Sequence, residues 1–352
     1  MDSEEGSTIV VPTETSPREY MSLNDINDEE VRRLTAPIVY LSILMVIGVP
    51  GNMIVLIIYG RKYSKSVYRT IIWNIALVDF LFSIVALPFN IAELVHFYTF
   101  TELWACKMIA VVAIFFVLYS SHLLVIMAIY RFRQVCMPTK KQITLSNVKY
   151  WIGGGFILAI LFDFPQGIFQ PIVEVSLVHN VTGYVCPVSY KTSVNADIYN
   201  GFLTCLMVIY SLFLLIVYLL IGHKMYLRYK RQNIAHSSNQ TDQLSNKITK
   251  IAFAISIVFA VSYLPIFIIK LLASKIDHHN MNTVELSVLR IFERSYAVNH
   301  VTNTFIYAFY DKRFRKTFWS LCTEVVHRKP SGSQSVKSSE YKNTKDSSDT
   351  VV

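Results

Sequence analysis

Residues 38–58, IVYLSILMVIGVPGNMIVLII, contain no charged side chain. Wound as a helix, this stretch is about 30 Å long, which matches the hydrocarbon core of a bilayer. Residues 251–269 have the same character. Outward from these two, seven apolar segments can be read, at 36–60, 70–95, 104–131, 148–170, 197–226, 247–274 and 286–310. The seventh is the weakest, because Glu293, Arg294 and His300 interrupt it. In lipid the backbone must satisfy its own polar groups, so each segment is expected to be helical. The fold class is therefore all-α: a seven-transmembrane helix bundle over 36–310.

Of the 352 residues, 53% are hydrophobic and 16% charged, more apolar and less charged than soluble chains usually are. The formal charge of +9 does not point to nucleic acid. The basic residues lie in short segments between apolar runs rather than along a soluble face. Arg61, Lys62, Lys65 and Arg69 flank the first connection, and Arg133, Lys140, Lys141 and Lys149 the third. His223, Lys224, Arg228, Lys230, Arg231 and Lys247 surround the fifth, whereas Phe97–Trp104 has almost none. The positive-inside rule then sets the N-terminus outside and the C-terminus in the cytoplasm of a multi-pass plasma-membrane protein.

Residues 1–35 are polar and acidic without an apolar core. They are expected to form an extracellular tail with no cleavable signal, the first span serving for insertion. Residues 311–322 alternate basic and aromatic side chains (Lys312, Arg313, Phe314, Arg315, Lys316, Phe318, Trp319). At helical spacing they form an amphipathic helix on an anionic lipid surface. Residues 323–352, rich in Ser, Lys and Asp, are expected to be a disordered cytoplasmic tail. No internal repeat supports a transporter, and no nucleophile–base or metal cluster supports an enzyme.

Polar residues inside the spans are costly: Asn52, Asp79, Ser120, Asn299 and Asn303. Interhelical hydrogen bonding, at about 1 kcal/mol each, is one explanation for them. Between the fourth and fifth spans, 172–178 and 184–190 are β-prone runs around His179–Gly183, which suggests a hairpin. Asn180-Val181-Thr182 is a glycosylation sequon on the expected outer side, while that at Asn239 is cytoplasmic and silent. Cys106 and Cys186 occupy outer positions where a disulfide persists.

Gly51-Asn52, Leu77-Val78-Asp79, Trp104-Ala105-Cys106, Arg131, Trp151, Pro265 and Asn303-Thr304-Phe305-Ile306-Tyr307 follow one another in order. In this the chain resembles the rhodopsin-like G-protein-coupled receptors over nearly its whole membrane region, as a divergent member similar to peptide receptors. The resemblance implies a receptor that binds an extracellular ligand and activates a heterotrimeric G protein. It implies a Cys106–Cys186 disulfide and a hairpin that leaves a wide mouth, as in peptide-binding members. It also implies a sodium ion held as an allosteric ligand by Asp79, Ser120, Asn299 and Asn303, no other cofactor being required. A protonated, hydrogen-bonded Asp79 is the alternative.

The activation switch implied by the family comprises Tyr130, Arg131, Tyr218, Phe259, Tyr263, Pro265, Asn303 and Tyr307. Several positions depart from the family pattern. Tyr130 replaces the acid before Arg131, and Ser245 stands where some members carry a second acid. Tyr263 replaces a Trp, Thr304 a Pro, and Tyr210 the proline of the fifth span. Either the resting lock on Arg131 is weak and basal signalling raised, or Tyr130 with water forms a neutral substitute. These departures keep a non-signalling, scavenging receptor as an alternative.

For the ligand, Ala113 lacks the Asp of amine receptors and Ala297 the Lys of retinal-binding ones. Glu93, Lys270, Arg290, Glu293 and Arg294 lie at the outer ends with a net positive sign, favouring an anionic group unless these charges pair with one another. A peptide is the leading expectation, and a small anionic or lipid-acid ligand the alternative. Cys322 is a candidate for palmitoylation, and the tail serines for phosphorylation toward an arrestin-like partner. Thr350 and Val352 suit a PDZ domain.

Overall fold

In the computed structural model, the structure describes residues 21–177, 180–186, 193–235, 240–272, 276 and 280–326, without the side chains of 229, 231–235, 240–248, 267, 270, 271 and 324–326. Eleven helices and one hairpin are described. A short α1 (Leu23–Arg33) precedes α2 (Thr35–Arg61), α3 (Val67–Leu81) and α4 (Leu87–Val95). Then come α5 (Leu103–Cys136), α6 (Val148–Phe169), β1 (Val173–Ser176), β2 (Thr182–Val185), α7 (Val194–Ala235) and α8 (Gln240–Leu272). The chain ends with α9 (Thr283–Glu293), α10 (Ala297–Tyr310) and α11 (Lys312–Val326).

Among the described residues, six stretches are long and apolar enough to cross a membrane: α2, α3 with α4, α5, α6, α7 and α8. The seventh span, expected as one helix over 286–310, is two. Between α9 and α10 the N–H groups of Arg294, Ser295, Ala297, Val298 and Asn299 bond three residues back instead of four. This 3₁₀-like tightening sits where Glu293 and Arg294 turn inward, and no proline takes part. The family's usual Pro position, Thr304, stays helical and donates its hydroxyl to Asn52 Oδ1 at 3.2 Å.

The core sits around α5, the most buried span, which packs on α3, α6, α7 and α8. Helices at the rim carry apolar stripes on the face away from it. Ile157, Leu161, Phe164 and Ile168 are exposed on α6, and Ile209, Leu212, Ile216 and Leu219 on α7. Spaced by three and four, each set forms one helical face. Such faces are stable only against lipid.

The second span has a π-helical turn at Phe82–Ala86. Pro88 has no N–H to give, and the N–H of Leu87 reaches five residues back to the Phe82 carbonyl. The extra residue rotates Phe82 and Ser83 toward α10 and α2. A Cβ on Gly48 would come within 2.6 Å of Ser83 Oγ, so the close approach of α2 requires glycine there.

Within the expected tail, residues Leu23–Arg33 form α1. Ser22 caps it, and the Ser22 hydroxyl and N–H hold the Asp25 carboxyl below its usual pKa. Asn27 docks it on the bundle, giving Nδ2 to the Val95 carbonyl at 3.0 Å and taking the Tyr98 N–H on Oδ1 at 2.9 Å. Other boundaries move outward: α7 ends at Ala235 rather than 226, α8 starts at Gln240 rather than 247, and α11 reaches Val326 rather than 322. The expected amphipathic pattern holds in α11, with Phe314 buried and Lys312, Arg313 and Lys316 exposed. Asp311 caps it, accepting from the N–H groups of Arg313 and Phe314.

Candidate functional site

The hairpin pairs Val173 with Val185 and Ser176 with Thr182, shorter than the two runs read in the sequence. Backbone bonds between Tyr184 and the Tyr98–Phe100 segment hold it over one end of the bundle. Cys106 and Cys186 are joined, fixing β2 to the start of α5. Asn180 is exposed at φ 58°, a left-handed conformation that asparagine tolerates.

Beneath the hairpin a cavity opens, lined by Cys186 and by α4, α5, α6, α7, α8 and Tyr296. Glu93 and Ala113, both expected, are on its wall. Other polar groups there are mostly neutral: Asn90, Gln166, Gln170, Asn200, Thr204 and the phenols Tyr199, Tyr263 and Tyr296. Tyr296 donates to Asn90 Oδ1 at 3.0 Å, tying the floor across from α4.

Arg290, Glu293 and Arg294 do not line this cavity. Arg290 Nη1 lies 2.8 Å and 2.9 Å from the two Glu293 oxygens. Arg294 reaches Glu93 Oε1 at 2.9 Å and Glu293 Oε2 at 3.2 Å. Two guanidiniums and two carboxylates, all buried, cancel. Four of the five charges expected there therefore form a neutral quartet, because charges this deep must pair. The side chain of Lys270 lies outside the described ones.

In mid-bundle, Asp79 is fully buried. Its Oδ2 accepts from Asn303 Nδ2 at 2.7 Å, and its Oδ1 lies 2.7 Å from Nδ1 of His300. His300 stacks on Phe82 with ring centroids 4.0 Å apart. Asn52 reinforces the spot, its Nδ2 donating to the His300 carbonyl at 2.9 Å. Asn299 and Ser120 are fully buried nearby in the chain's core, but neither side chain has a hydrogen-bond partner among the described residues. Of the four proposed sodium ligands, the structure thus joins Asp79 to Asn303 and adds a histidine. The Ser120 hydroxyl and the Asn299 and Asn303 side-chain oxygens are left without a hydrogen-bond partner among the described residues.

At the opposite end, Arg131 is buried. Nη1 donates to Gln134 Oε1 at 2.7 Å and Nη2 to Thr249 Oγ1 of α8 at 2.6 Å. Gln134 Nε2 in turn donates to the Tyr130 hydroxyl at 2.7 Å. Among the described side chains, Gln134 links Tyr130 to Arg131 and Thr249 ties Arg131 to α8. Tyr218 and Tyr307 are buried, as is Phe259, whose ring lies 4.6 Å from Tyr263. Pro265 lies inside α8. The side chain of Ser245 lies outside the described ones.

Sequence reasoning missed four groups. Gln134 follows Tyr130 and Arg131 by four and three residues, so helical spacing could have flagged it. Thr249 comes from a distant helix and carries no such signal. His122 Nε2 meets the Tyr210 hydroxyl at 2.8 Å, explaining a tyrosine where the family has proline. Asp163, on α6, is a further buried acid in addition to Asp79, Glu93 and Glu293. Cys322 is an unpaired, half-buried cysteine of α11, and Thr350 and Val352 lie outside the described residues.

Residues 51–307 match the family described as 7 transmembrane receptor (rhodopsin family). The chain is 24% identical over 301 residues to the rat neuropeptide FF receptor 2, covering 79% of this chain and 70% of that one. It is 27% identical over 296 residues to the human neuropeptides B/W receptor type 2, covering 81% and 85%. Against a type-1 angiotensin II receptor from Xenopus laevis it is 26% identical over 339 residues, covering 91% and 89%. With the spans, the disulfide and the Arg131 site in their expected order, the chain belongs to the rhodopsin family of seven-transmembrane, G-protein-coupled receptors and is not an enzyme.

Proposed function

We propose that this receptor binds a peptide at the hairpin end and signals through a heterotrimeric G protein at the Arg131 end. The carrying observation is the cavity under the hairpin, walled by amides and phenols. Asn90, Gln166, Gln170 and Asn200 offer donors and acceptors that suit a peptide backbone, and Tyr199 and Tyr263 offer apolar faces with polar tips. The similar proteins named above are receptors for peptides by name, which agrees.

The small-anion alternative rests on Lys270, Arg290 and Arg294, and both arginines are engaged with carboxylates. In the proposed orientation the hairpin faces outside and the basic connections face the cytoplasm, where G protein and an arrestin-like partner bind. Asn180 would carry a glycan, Cys322 a palmitoyl chain, and the C-terminal Val352 would enter a PDZ groove.

The test is calcium and cyclic AMP in receptor-expressing cells given tissue extract before and after protease digestion. Digestion is expected to abolish the receptor-dependent response. A response that survives digestion overturns the peptide proposal.

A further inference from the structure

We propose that Asp163 is the counter-charge for a guanidinium carried by the ligand, reached from the cavity between α6 and α7. The proposal rests on the peptide reading above and adds to that peptide an arginine side chain. Asp163 is 3% exposed, and its Oδ1 has no hydrogen-bond partner among the described residues. A buried carboxylate in that state is costly inside a membrane helix and marks a functional site whose partner must be named.

The acid ends a polar stripe. Gln170, Gln166 and Asp163 are spaced by four and three on a mostly apolar helix, so they share one face. Gln170 Nε2 lies 3.6 Å from Cys106 Sγ at the disulfide, and Gln166 Nε2 donates to Gln170 Oε1 at 2.6 Å. Both glutamines line the cavity, and Asp163 follows one turn deeper along α6. On α7, Tyr199 lines the same cavity and donates its hydroxyl to the Phe162 carbonyl at 2.8 Å. That hydroxyl is close enough for the Asp163 charge to act on it. The Tyr199 ring is thus the partition between the cavity and the acid.

The surrounding helices bring no fixed cation to this level. No Lys or Arg occurs between Lys107 and Arg131, between Lys149 and Lys191, or between Lys191 and Lys224. Lys107, at the outer end of α5, donates to the Ile168 carbonyl at 3.4 Å. His122 of α5 meets the Tyr210 hydroxyl at 2.8 Å. Glu93, the other acid on the cavity wall, already has Arg294 at 2.9 Å. Asp163 is therefore where an incoming cation gains most.

The rings around it select the kind of cation. Phe169 and Phe202 flank Tyr199 with centroids 6.0 Å and 6.5 Å away, and Phe162 lies 5.9 Å from Phe202. A flat, delocalised guanidinium stacks on such faces and takes a carboxylate through two parallel bonds. An ammonium is more strongly hydrated and gives up more on entering.

The experiment is thermal melting of the purified full-length receptor with phenylguanidinium chloride, against phenylurea as the neutral molecule of the same shape. Phenylguanidinium is expected to raise the wild-type melting temperature saturably, by about 2 °C at about ten times its Kd, and phenylurea is not. Asp163→Asn should abolish the rise. Without probe, Asp163→Asn should melt no lower than the wild type, because it removes an uncompensated buried charge. Equal effects of the two probes on the wild type would overturn the proposal, as would a phenylguanidinium rise that persists in Asp163→Asn. A probe-free Asp163→Asn that melts lower would also overturn it, since the carboxylate would then already have a partner within the chain. No extract enters these measurements, so their failure is distinguishable from failure of the peptide reading in the protease test.

Discussion

Thr249→Val removes the hydroxyl that Arg131 Nη2 reaches at 2.6 Å across from α5 to α8, and keeps the side-chain volume. A hydrogen bond to a charged group contributes about 1.5–3 kcal/mol. Arg131 retains Gln134 after the substitution, so the lower figure, about 1.5 kcal/mol, applies. This contact joins α5 to α8, and on the switch role proposed for Arg131 it belongs to the resting state, where its loss falls. About 1.4 kcal/mol is a factor of ten, and a resting receptor about 1% open becomes about 10% open. The assay is ligand-free cyclic AMP or calcium output at matched surface expression, with Thr249→Ser as the control that keeps the hydroxyl. Thr249→Val should signal about tenfold above wild type, with Thr249→Ser close to wild type. Basal output of Thr249→Val within about twofold of wild type would refute the claim that this neutral contact holds the resting state.

Tyr130→Asp puts a carboxylate beside the Arg131 guanidinium and should lower ligand-free output; equal output would show that the resting lock on Arg131 is not weak. Glu93→Ala and Arg294→Ala each break a buried charge pair and should cost about 3 kcal/mol, but the double variant should cost less than their sum by at least about 1 kcal/mol. Strict additivity in thermal melting would show that the 2.9 Å contact carries no coupling. Gly48→Ala forces a Cβ within 2.6 Å of Ser83 Oγ and should destabilise by about 1–3 kcal/mol, with partial recovery in the Ser83→Ala background. An unchanged melting temperature would mean that α2 yields freely at this crossing.

The spans were legible because lipid imposes one pattern: an uncharged stretch such as 38–58 has few other uses. Arg131, Cys106 and Asp79 were legible as landmarks for the same reason, since each is expensive or reactive where it stands. What the landmarks touch was harder to read. His300 registered in the sequence as a blemish in the weakest span, yet it is the partner of Asp79, because the link crosses 221 residues of chain. Arg290 and Glu293 are three apart and could have been paired on helical spacing alone, but Glu93 joins Arg294 from 201 residues away. The break at Arg294–Tyr296 followed from that pairing and from no proline or glycine signal. Departures from the family pattern turned out to be compensated locally: Tyr210 has His122, Tyr130 has Gln134, and Thr304 has Asn52.

The central claim is that a receptor with these rebuilt contacts still signals. It is tested most directly by guanine-nucleotide exchange on G proteins in membranes bearing the wild type or Arg131→Ala, with the active fraction of the extract added. The account predicts ligand-stimulated exchange with the wild type and its loss in Arg131→Ala, while ligand binding persists in both. Saturable binding to the wild type without any exchange would contradict it, and the chain would then capture its ligand without passing on a signal.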